Sequence, residues 1–285
     1  MKMPIRPVVN VLVAVVVLAL LIALLFPAVE KIRTPAARTQ TNNNLKQCAL
    51  AVHNFHDMHN RLPDAWDKVG ADFGGESKSL WFHLLPYIEA GEAHKNSDAM
   101  AVVPALFAPS DPFMSEPFNG LNSFAANIRV FGHETIGVAA DQLGVAVNIP
   151  AVGEQVVSGM SLKDIKDGTG NVIMMCTRYA DCAGKRTFYA SHPADPVKLG
   201  AFALGGKHSQ PAAREGEDFI FQVVPRQEKC DNRPYHYGHA FGSGGMSVAM
   251  CDATVRNLTP TISVITFQRA ICPNDGAPLD ADWSD

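Results

Sequence analysis

The sequence predicts an α+β protein in which one long N-terminal helix packs on a largely antiparallel, loop-rich β body. Three observations lead to this fold class. An apolar run near the N-terminus is uninterrupted from Val11 to Phe26. Apolar residues at helical spacing follow it, and the chain then changes to short apolar stretches separated by turn residues. Helix first and strands afterwards is typical of α+β domains, whereas alternating helices and strands indicate a parallel sheet.

The first element is an apolar helix. Residues 8–29 contain a single polar side chain, Asn10, and no charge. About 20 apolar residues are enough for a helix to cross the ~30 Å hydrocarbon core of a bilayer. A cleaved signal peptide has a shorter apolar core and a small-x-small cleavage site, whereas Val29 and Lys31 are poor residues for such a site. We therefore expect residues 1–29 to form a retained transmembrane helix, with a cleaved signal or a buried core helix as alternatives.

The second element is the continuation of this helix beyond the membrane. Apolar residues recur there at steps of three and four, namely Leu45, Cys48, Ala49, Val52, Phe55 and His59. Such a stripe is one face of an amphipathic helix. The helix is expected to end before Pro63, because the residue that precedes a proline is disfavoured in helical conformation. We assign residues 30–62 to this soluble continuation and expect its apolar face to lie on the body.

The third element is a β-rich body over residues 63–285. Its short apolar stretches, such as 171–175 and 246–251, are separated by turn residues. Residues 246–251 and the polar residues after them predict a hairpin. Residues 261–271 fit either a strand or a short helix, and hydrophobic periodicity leaves both open.

Charge separates the helix from the body. Through residue 50 the chain has six basic residues and one acidic residue, a net charge of +5, and the whole chain carries −4, so residues 51–285 carry −9. Nucleic acid is excluded as a partner of the body, because phosphate binding needs a clustered basic surface. Basic residues that flank an apolar helix suit anionic headgroups, so the lipid bilayer is the expected partner.

Charge alone leaves the membrane orientation nearly balanced, because basic residues lie on both sides of the apolar run. Few residues precede the helix and a large domain follows it. We therefore expect a single-pass protein of the cytoplasmic (inner) membrane, with its N-terminus inside and its body extracytoplasmic.

Several stretches together resemble one protein family. They are residues 21–29, 44–47, 50–57, 108–112, 122–127, 161–171 and 244–256. In this order they resemble the prepilin-like family of unknown function that is abundant in planctomycete bacteria. Its N-terminal helix is similar to that of type IV pilins and of the G-type pseudopilins of type II secretion. The resemblance implies a pilin-like fold, a structural or interaction role in the cell envelope or a secretion apparatus, and other pilin-like or secretion-system proteins as partners.

The N-terminus departs from the pattern of pilin-like precursors. Where the resemblance expects the cleavage-site Gly, the following Phe and the Glu at the fifth mature position, this chain has Ile5, Arg6 and Asn10. Prepilin peptidase needs the Gly, and the Glu is thought to neutralise the N-terminal amine of a neighbouring subunit in pilin filaments. We therefore expect a protein that is neither cleaved nor polymerised and that keeps its helix as an anchor.

The C-terminal signature is also altered. The family pattern is His, nine residues, then Asp-Gly, whereas this chain has Gly242 at the histidine position and Ala253 after Asp252. Asp252 and Arg256 are binding candidates in this signature. A local salt bridge or a turn cap is the structural alternative for the same pair.

A second function class is an anchored extracytoplasmic protein that binds a small solute or a glycan. Its pocket would be rimmed by aromatic side chains, with Tyr235 and Tyr237 as binding candidates beside Trp81 and Tyr87. Packing of this aromatic loop against the sheet is the alternative. Enzymatic activity is not expected, because the sequence has no nucleophile elbow of the Gly-x-Ser-x-Gly type and no phosphate-binding loop.

Four residues are metal candidates. His53 and His56 are three residues apart, and such residues are neighbours on a helix surface. The family resemblance favours another role for them, in which the His-rich helix end caps the rod against the body. Asp164 and Asp167 lie in an oxygen-rich loop. The resemblance to G-type pseudopilins implies calcium as a candidate ion for this loop. The loop lacks the acid spacing and the terminal Glu of a dedicated calcium loop. We expect no cofactor, with calcium as the one ion to consider.

Six cysteines follow the apolar run. Under the predicted topology they lie in an oxidising compartment, where disulfides persist. Six cysteines allow fifteen connectivities, and the short separation of Cys176 and Cys182 favours that pair. Zinc is not expected, because no two short-spaced cysteine pairs are present.

Overall fold

The structure, a computed structural model, describes residues 5–68, 77–114, 119–132, 160–182, 184–190, 201–202, 221–226, 230 and 238–283. Within the N-terminal helix it describes the side chains of residue 10, of residues 14–19 and from residue 34 onward. Of the predicted fold, the α+β class is confirmed, because helices combine with a mostly antiparallel sheet.

The N-terminal helix α1 (Ile5–His59) is continuous over 55 residues. It ends before Pro63, as predicted. Asn60 has a φ of 55°, and its N–H donates to the carbonyl oxygen of His56 over 2.7 Å. A residue with positive φ directly after the last helical turn is a common helix ending, and Asn accepts this conformation more readily than most residues. The helix therefore crosses the predicted boundary at residue 29 without a break.

The membrane-spanning prediction concerns the first half of α1. In the part of the chain that the structure describes, no helix is long and apolar enough to cross a membrane. Most of the side chains of residues 8–29 lie outside the described ones, and those at 10 and 14–19 are exposed.

The apolar stripe in the second half of α1 is confirmed as a buried face. Leu45, Cys48, Ala49 and Val52 are fully buried and Phe55 is 6% exposed. His59, which we placed on the same stripe, is exposed. The stripe therefore ends one turn before the helix does.

The other elements are short. The helices are α2 (Leu80–Leu84), α3 (Gly91–Lys95), α4 (Ile128–Phe131) and α5 (Val264–Ile271). The strands in chain order are β1 (Trp66–Lys68), β2 (Ser77–Ser79), β3 (Phe124–Asn127), β4 (Ile173–Thr177), β5 (Asp181–Cys182), β6 (Lys185–Arg186), β7 (Ala201–Phe202), β8 (Gln222–Val223), β9 (His239–Ala240), β10 (Met246–Met250) and β11 (Val255–Leu258).

The central sheet has the strand order β11-β10-β4-β3-β7. Its pairs are antiparallel except for β3 and β7, which are parallel. Strand β4 contains a β-bulge, because Ala249 faces Met175 while the next residue, Met250, faces Ile173. Met174 is the extra residue of this bulge, and a bulge changes the alternation of side chains along a strand. As a result Met174 and Met175 both belong to the hydrophobic core that contains the α1 stripe.

The sheet has a hydrophobic core on each face. The larger core contains the buried stripe of α1 together with Phe124, Ala126 and Ala249 of the sheet. The smaller core contains Ile173 and Val248 of the sheet and the buried face of α5. Residues 261–271, which the sequence left open, are therefore helical from Val264. Ser263 caps this helix, since its hydroxyl oxygen accepts the N–H of Thr266 over 3.1 Å.

Candidate functional site

The junction between α1 and the body is polar as well as apolar. The hydroxyl oxygens of Thr41 and Ser110 are 2.7 Å apart. The amide nitrogen of Asn44, which is 5% exposed, donates to the carbonyl oxygens of Pro104 over 3.0 Å and Phe107 over 2.7 Å. Asn44, the first residue of one family-like stretch, and Ser110 of another therefore both lie at this junction. Because buried polar groups need partners, these contacts fix how α1 lies on the body.

Asp111, in the second of these stretches, joins two loops. Its carboxylate oxygens accept the N–H groups of Phe113 and Ala180, each over 3.0 Å, and the side chain is 3% exposed. Burial raises the pKa of Asp111 to about 7, although both backbone hydrogen bonds favour the charged form. The carboxyl group therefore changes its charge near neutral pH while holding the two loops together.

An aromatic group lies around Tyr179. The Tyr179 ring stacks on His239 at 4.7 Å and on Phe241 at 5.3 Å, and it meets Phe113 edge-on at 4.9 Å. Burial raises the pKa of the Tyr179 hydroxyl, and the negative charge of Asp111 raises it further. We name Asp111, Tyr179, His239 and Phe241 the Tyr179 cluster.

His239 is fully buried within this cluster, and both ring nitrogens are engaged. Its Nδ1 accepts the N–H of Tyr179 over 3.0 Å, so the proton of the neutral ring is on Nε2, which lies 3.2 Å from Oε1 of Gln222. Cys182 and Cys230 form a disulfide beside it. Among the described residues these three are the one group of at least three His, Cys, Asp or Glu side chains with metal-binding spacing. The sulfurs are bonded to each other and therefore offer no thiolate, Nε2 of His239 carries the ring proton, and Nδ1 already accepts a hydrogen bond, so these atoms are not available as metal ligands in this state.

The predicted disulfide between Cys176 and Cys182 is wrong. Cys182 pairs with Cys230, 48 residues further along the chain, with their Cα atoms 5.5 Å apart. Cys176 is a buried free thiol in the core under α5.

The four metal candidates make hydrogen bonds within the protein. Nε2 of His53 lies 3.0 Å from the carbonyl oxygen of Cys251, and Nε2 of His56 lies 2.8 Å from the hydroxyl oxygen of Ser161. Asp164 accepts the N–H of Ser161 over 2.9 Å in a capping box. The structure therefore brings His56 and Asp164 together through Ser161, where they attach the end of α1 to the body.

Asp167 belongs to a different contact. Its two carboxylate oxygens accept the N–H groups of Asp275 over 2.7 Å and Gly276 over 2.9 Å. Both oxygens are thus engaged by the C-terminal segment, and His53, His56, Asp164 and Asp167 form no metal group among the described residues.

The two candidates in the C-terminal signature take separate roles. Strands β10 and β11 form the predicted hairpin. Oδ1 of Asp252 accepts both the N–H of Thr254 over 2.9 Å and its hydroxyl over 2.7 Å, so this carboxylate caps the hairpin turn. The guanidinium group of Arg256 lies over the ring of Trp283 at 5.0 Å. A cation over an aromatic face is a favourable contact.

Ala253 occupies the position where the resemblance described above implies a Gly, and the backbone conformation there is one that favours Gly. Ala253 has a φ of 63°, and its N–H donates to the carbonyl oxygen of Met250 over 2.9 Å. A three-residue hairpin loop whose last residue has positive φ is a common arrangement, and Gly adopts it without steric cost.

We expect Ala253→Gly to change the free energy of unfolding by less than about 0.5 kcal/mol. Gly has no Cβ, so it removes the steric cost of the left-handed backbone conformation, which stabilises the protein by roughly 1 kcal/mol. Loss of the buried methyl group of Ala253 destabilises it by about 0.8 kcal/mol. Ala253→Val, in contrast, is expected to cost at least about 2 kcal/mol, because a β-branched residue is a severe outlier at positive φ. Urea unfolding of the two variants measures the difference, and equal stabilities of the Gly and Val variants would contradict this explanation.

The aromatic rim predicted for a binding pocket is not formed by Trp81, which is 1% exposed within the core. Tyr87 is half-buried, and Tyr235 and Tyr237 lie outside the described residues. A pocket of about 310 Å³ instead lies between the loop 166–171 and the C-terminal segment. The sequence pointed to one wall of this pocket, the oxygen-rich loop 166–171. It gave no indication that residues 276–279 form the opposite wall.

The fold and these contacts define an α+β protein whose long N-terminal helix is attached to a mostly antiparallel sheet by buried polar side chains. The chain matches the model of the family SBP_bac_10, described as "Protein of unknown function (DUF1559)", over residues 30–264, and it belongs to this family. No curated protein and no solved structure matches the chain.

Proposed function

We propose that this protein is a membrane-anchored, pilin-like protein with a structural or interaction role in the cell envelope or a secretion apparatus. In this proposal residues 8–29 form a single span of the cytoplasmic membrane, the N-terminus is inside, and the body is extracytoplasmic. Its partners are the bilayer and other pilin-like or secretion-system proteins, and it is not an enzyme. The observation that carries the proposal is the change in side-chain environment along α1.

The first half of α1 carries apolar side chains that face solvent. Val15, Val16, Val17 and Leu18 are between 50% and 60% exposed, and Ala14 and Ala19 are exposed as well. Consecutive residues of a helix point in all directions, so this segment is apolar all around its axis. Such a helix is stable only inside an apolar medium, either a protein core or a bilayer. Among the described residues no part of the body covers these six side chains.

The second half of the same helix belongs to the body. Between Thr41 and Phe55, α1 buries its apolar stripe and makes its polar contacts with the segment 104–110. A 55-residue helix is roughly 80 Å long, of which the hydrocarbon core takes up about 30 Å. The remaining length is sufficient to reach from the membrane surface into the body. A rigid connection between an anchor and a folded domain is what the proposed role requires.

The N-terminal residues favour a permanent anchor over a filament subunit. Ile5, Arg6 and Asn10 stand where the resemblance to pilin-like precursors expects the cleavage Gly, the Phe and the Glu. Sequencing of the N-terminus of the membrane-extracted protein tests this part of the proposal. We expect an uncleaved N-terminus, whereas an N-methylated start at Arg6 contradicts it.

Membrane anchoring is tested by substituting charged residues into the apolar segment. Each Lys at the centre of a span costs about 2.5–3.5 kcal/mol on insertion scales, so the variant V15K/V16K/V17K/L18K is expected to leave the membrane pellet after an alkaline carbonate wash. The wild type is expected to remain in the pellet. The matched control N43K/Q47K places lysines on the exposed face of the second half of α1 and is expected to remain there too. A wild type that washes into the supernatant contradicts the anchor.

Crosslinking in intact membranes tests the interaction role. One defined heterologous partner, identified by mass spectrometry, is the expected result. A ladder of self-crosslinks through the first half of α1 would replace this proposal with that of a filament subunit.

Binding of a small solute or a glycan is the second candidate function. The pocket of about 310 Å³ beside the loop 166–171 favours it, because small-molecule sites are concave and combine apolar walls with a few polar groups. This function is compatible with the same anchor.

A further inference from the structure

One end of the body lies next to the apolar half of α1. The guanidinium group of Arg38 lies over Gly244, where a Cβ atom would come within 2.8 Å of Nη1. Further along the helix, Nε2 of His53 lies 3.0 Å from the carbonyl oxygen of Cys251. From residue 38 to 53 a helix rises about 23 Å, and from residue 244 to 251 an extended chain covers about the same distance. Strand β10 therefore runs alongside α1 and away from its apolar half, and the loop 242–245 lies at the near end.

This near end lies close to the membrane surface in the proposed topology. From residue 29, where the proposed span ends, to Arg38 the helix rises about 14 Å. The headgroup layer takes up roughly 5–8 Å of this height. Each Cα–Cβ bond of a helix is tilted toward the N-terminus of the helix. The side chain of Arg38 therefore leaves α1 in the direction of the headgroups.

The positive charge of Arg38 is not compensated by a neighbouring acid. Arg38 is exposed, and among the described residues it makes no ion pair and no hydrogen bond. The two stretches that meet here, 31–56 and 232–251, contain no Asp or Glu. In the neighbouring loop the carboxylate oxygens of Asp111 are buried and accept two backbone N–H groups. Lys31 precedes Arg38 by two helical turns, so both residues are on the same side of α1.

The loop 242–245 offers backbone donors beside this charge. Gly242, Ser243 and Gly244 are exposed, and the N–H of Gly245 closes the turn by donating to the carbonyl oxygen of Gly242 over 3.3 Å. Within the part of the chain that the structure describes, the N–H groups of Ser243 and Gly244 have no acceptor. The carbonyl oxygen of Gly244, which would repel an anion, accepts Nδ2 of Asn257. A guanidinium group beside free backbone N–H groups suits the oxygens of a phosphate group.

We infer that Arg38 and the loop 242–245 bind the phosphate of an anionic phospholipid in the leaflet that faces the body. The inference rests on the proposed membrane anchor and adds a second point of attachment to it. A single span leaves the direction of its tilt open, whereas a headgroup bound on one side of α1 determines that direction. The opposite end of the body, with the hairpin turn at Asp252, then points away from the membrane and is accessible to partners.

Hydrogen–deuterium exchange of the full-length protein in lipid nanodiscs tests the inference. Discs of phosphatidylcholine alone are compared with discs of an equal mixture of phosphatidylcholine and phosphatidylglycerol, whose headgroup is anionic. The loop 242–245 is expected to exchange about fivefold more slowly in the anionic discs, which is the effect of one basic residue near an anionic surface. Arg38→Gln is expected to abolish this difference. Lys46→Gln removes the same charge from an exposed position further along α1 and is expected to retain it.

The remaining outcomes separate this inference from other causes. Equal loss in Arg38→Gln and Lys46→Gln assigns the effect to net charge and overturns the inference, and so does equal exchange of the wild-type loop in both kinds of disc. Slower exchange after inorganic phosphate is added to phosphatidylcholine discs indicates a site for a soluble anion and overturns the lipid assignment. Unchanged exchange of β10 in Arg38→Gln shows that this variant is folded.

The same measurement reports the anchor separately. Protection of residues 8–29 in both kinds of disc supports the anchor even where the loop 242–245 shows no difference. A protein that does not enter the discs contradicts the proposed function itself.

Discussion

The double variant C182S/C230S is expected to lose about 4 kcal/mol of unfolding free energy, which is the loop-closure entropy of a bond that spans 48 residues. For a body of this size the loss corresponds to a decrease in Tm of roughly 10 °C. The disulfide joins β5 to a position near the buried His239. Its removal therefore also removes a covalent constraint beside His239 of the Tyr179 cluster.

Differential scanning fluorimetry of the wild type, with and without reductant, measures this effect. The reduced wild type is expected to have the same Tm as the double variant. Reductant is expected to leave the Tm of the double variant unchanged. Cys272→Ser is the matched control, since Ser keeps an acceptor for the Nη1 of Arg129, which lies 3.0 Å from the sulfur. Four free thiols are expected in the unreduced, denatured wild type. Six free thiols would contradict the bond.

The parts of the fold that local sequence patterns control could be predicted. The burial of Leu45 and Val52 follows from the spacing of apolar residues along a helix, and the hairpin at Asp252 follows from an apolar stretch with a polar turn. Each of these features depends on residues within a few positions of one another. The same holds for the end of α1 before Pro63.

Features that depend on pairing across the sheet could not be predicted. Cys176 and Cys182 are close in sequence, but β4 directs Cys176 into the core under α5, whereas Cys182 lies in the next strand pair and meets Cys230. The β-bulge at Met174 interrupts the alternation of side chains along β4, so that Met174 and Met175 lie on the same face of the sheet. No sequence pattern indicates this bulge. The pocket has the same origin, because Arg269 and the loop at Lys166 are about 100 residues apart and meet only after folding.

Three of the family-like stretches share one structural role that the sequence did not reveal. Asn44, Asp111 and Asn127 each use a buried side chain to bond backbone groups of other segments. A backbone group at a junction between segments has no partner from regular secondary structure, and leaving it unpaired in the core costs about 1–3 kcal/mol. Side chains with two or more polar atoms satisfy several such groups at once. Motifs of this kind therefore specify how segments assemble and do not by themselves indicate catalysis.

Asn127→Asp is expected to be the most damaging single substitution at these junctions, with a loss of roughly 3–5 kcal/mol at neutral pH. Nδ2 of Asn127 donates to the carbonyl oxygens of Ile173 over 2.7 Å and Ile271 over 2.9 Å, and the residue is fully buried. A carboxylate has no proton to donate, so it would place negative charge against two carbonyl oxygens. These bonds connect β3 to β4 and to the end of α5, so both cores are affected.

The pH dependence of this variant distinguishes the charge from the lost donors. Burial and the two carbonyl oxygens favour the protonated acid, so the pKa of the new carboxyl group is expected to be higher in the folded than in the unfolded protein. Its stability relative to the wild type is therefore greatest below the unfolded pKa of about 4 and falls as pH rises through the folded pKa. Asn127→Ala lacks this group, so its deficit is expected to be the same at pH 4 and pH 8. Urea unfolding at both pH values measures the difference, with the exposed Asn43→Asp as control, and a pH-independent deficit in Asn127→Asp would show that charge at this junction is not the cause.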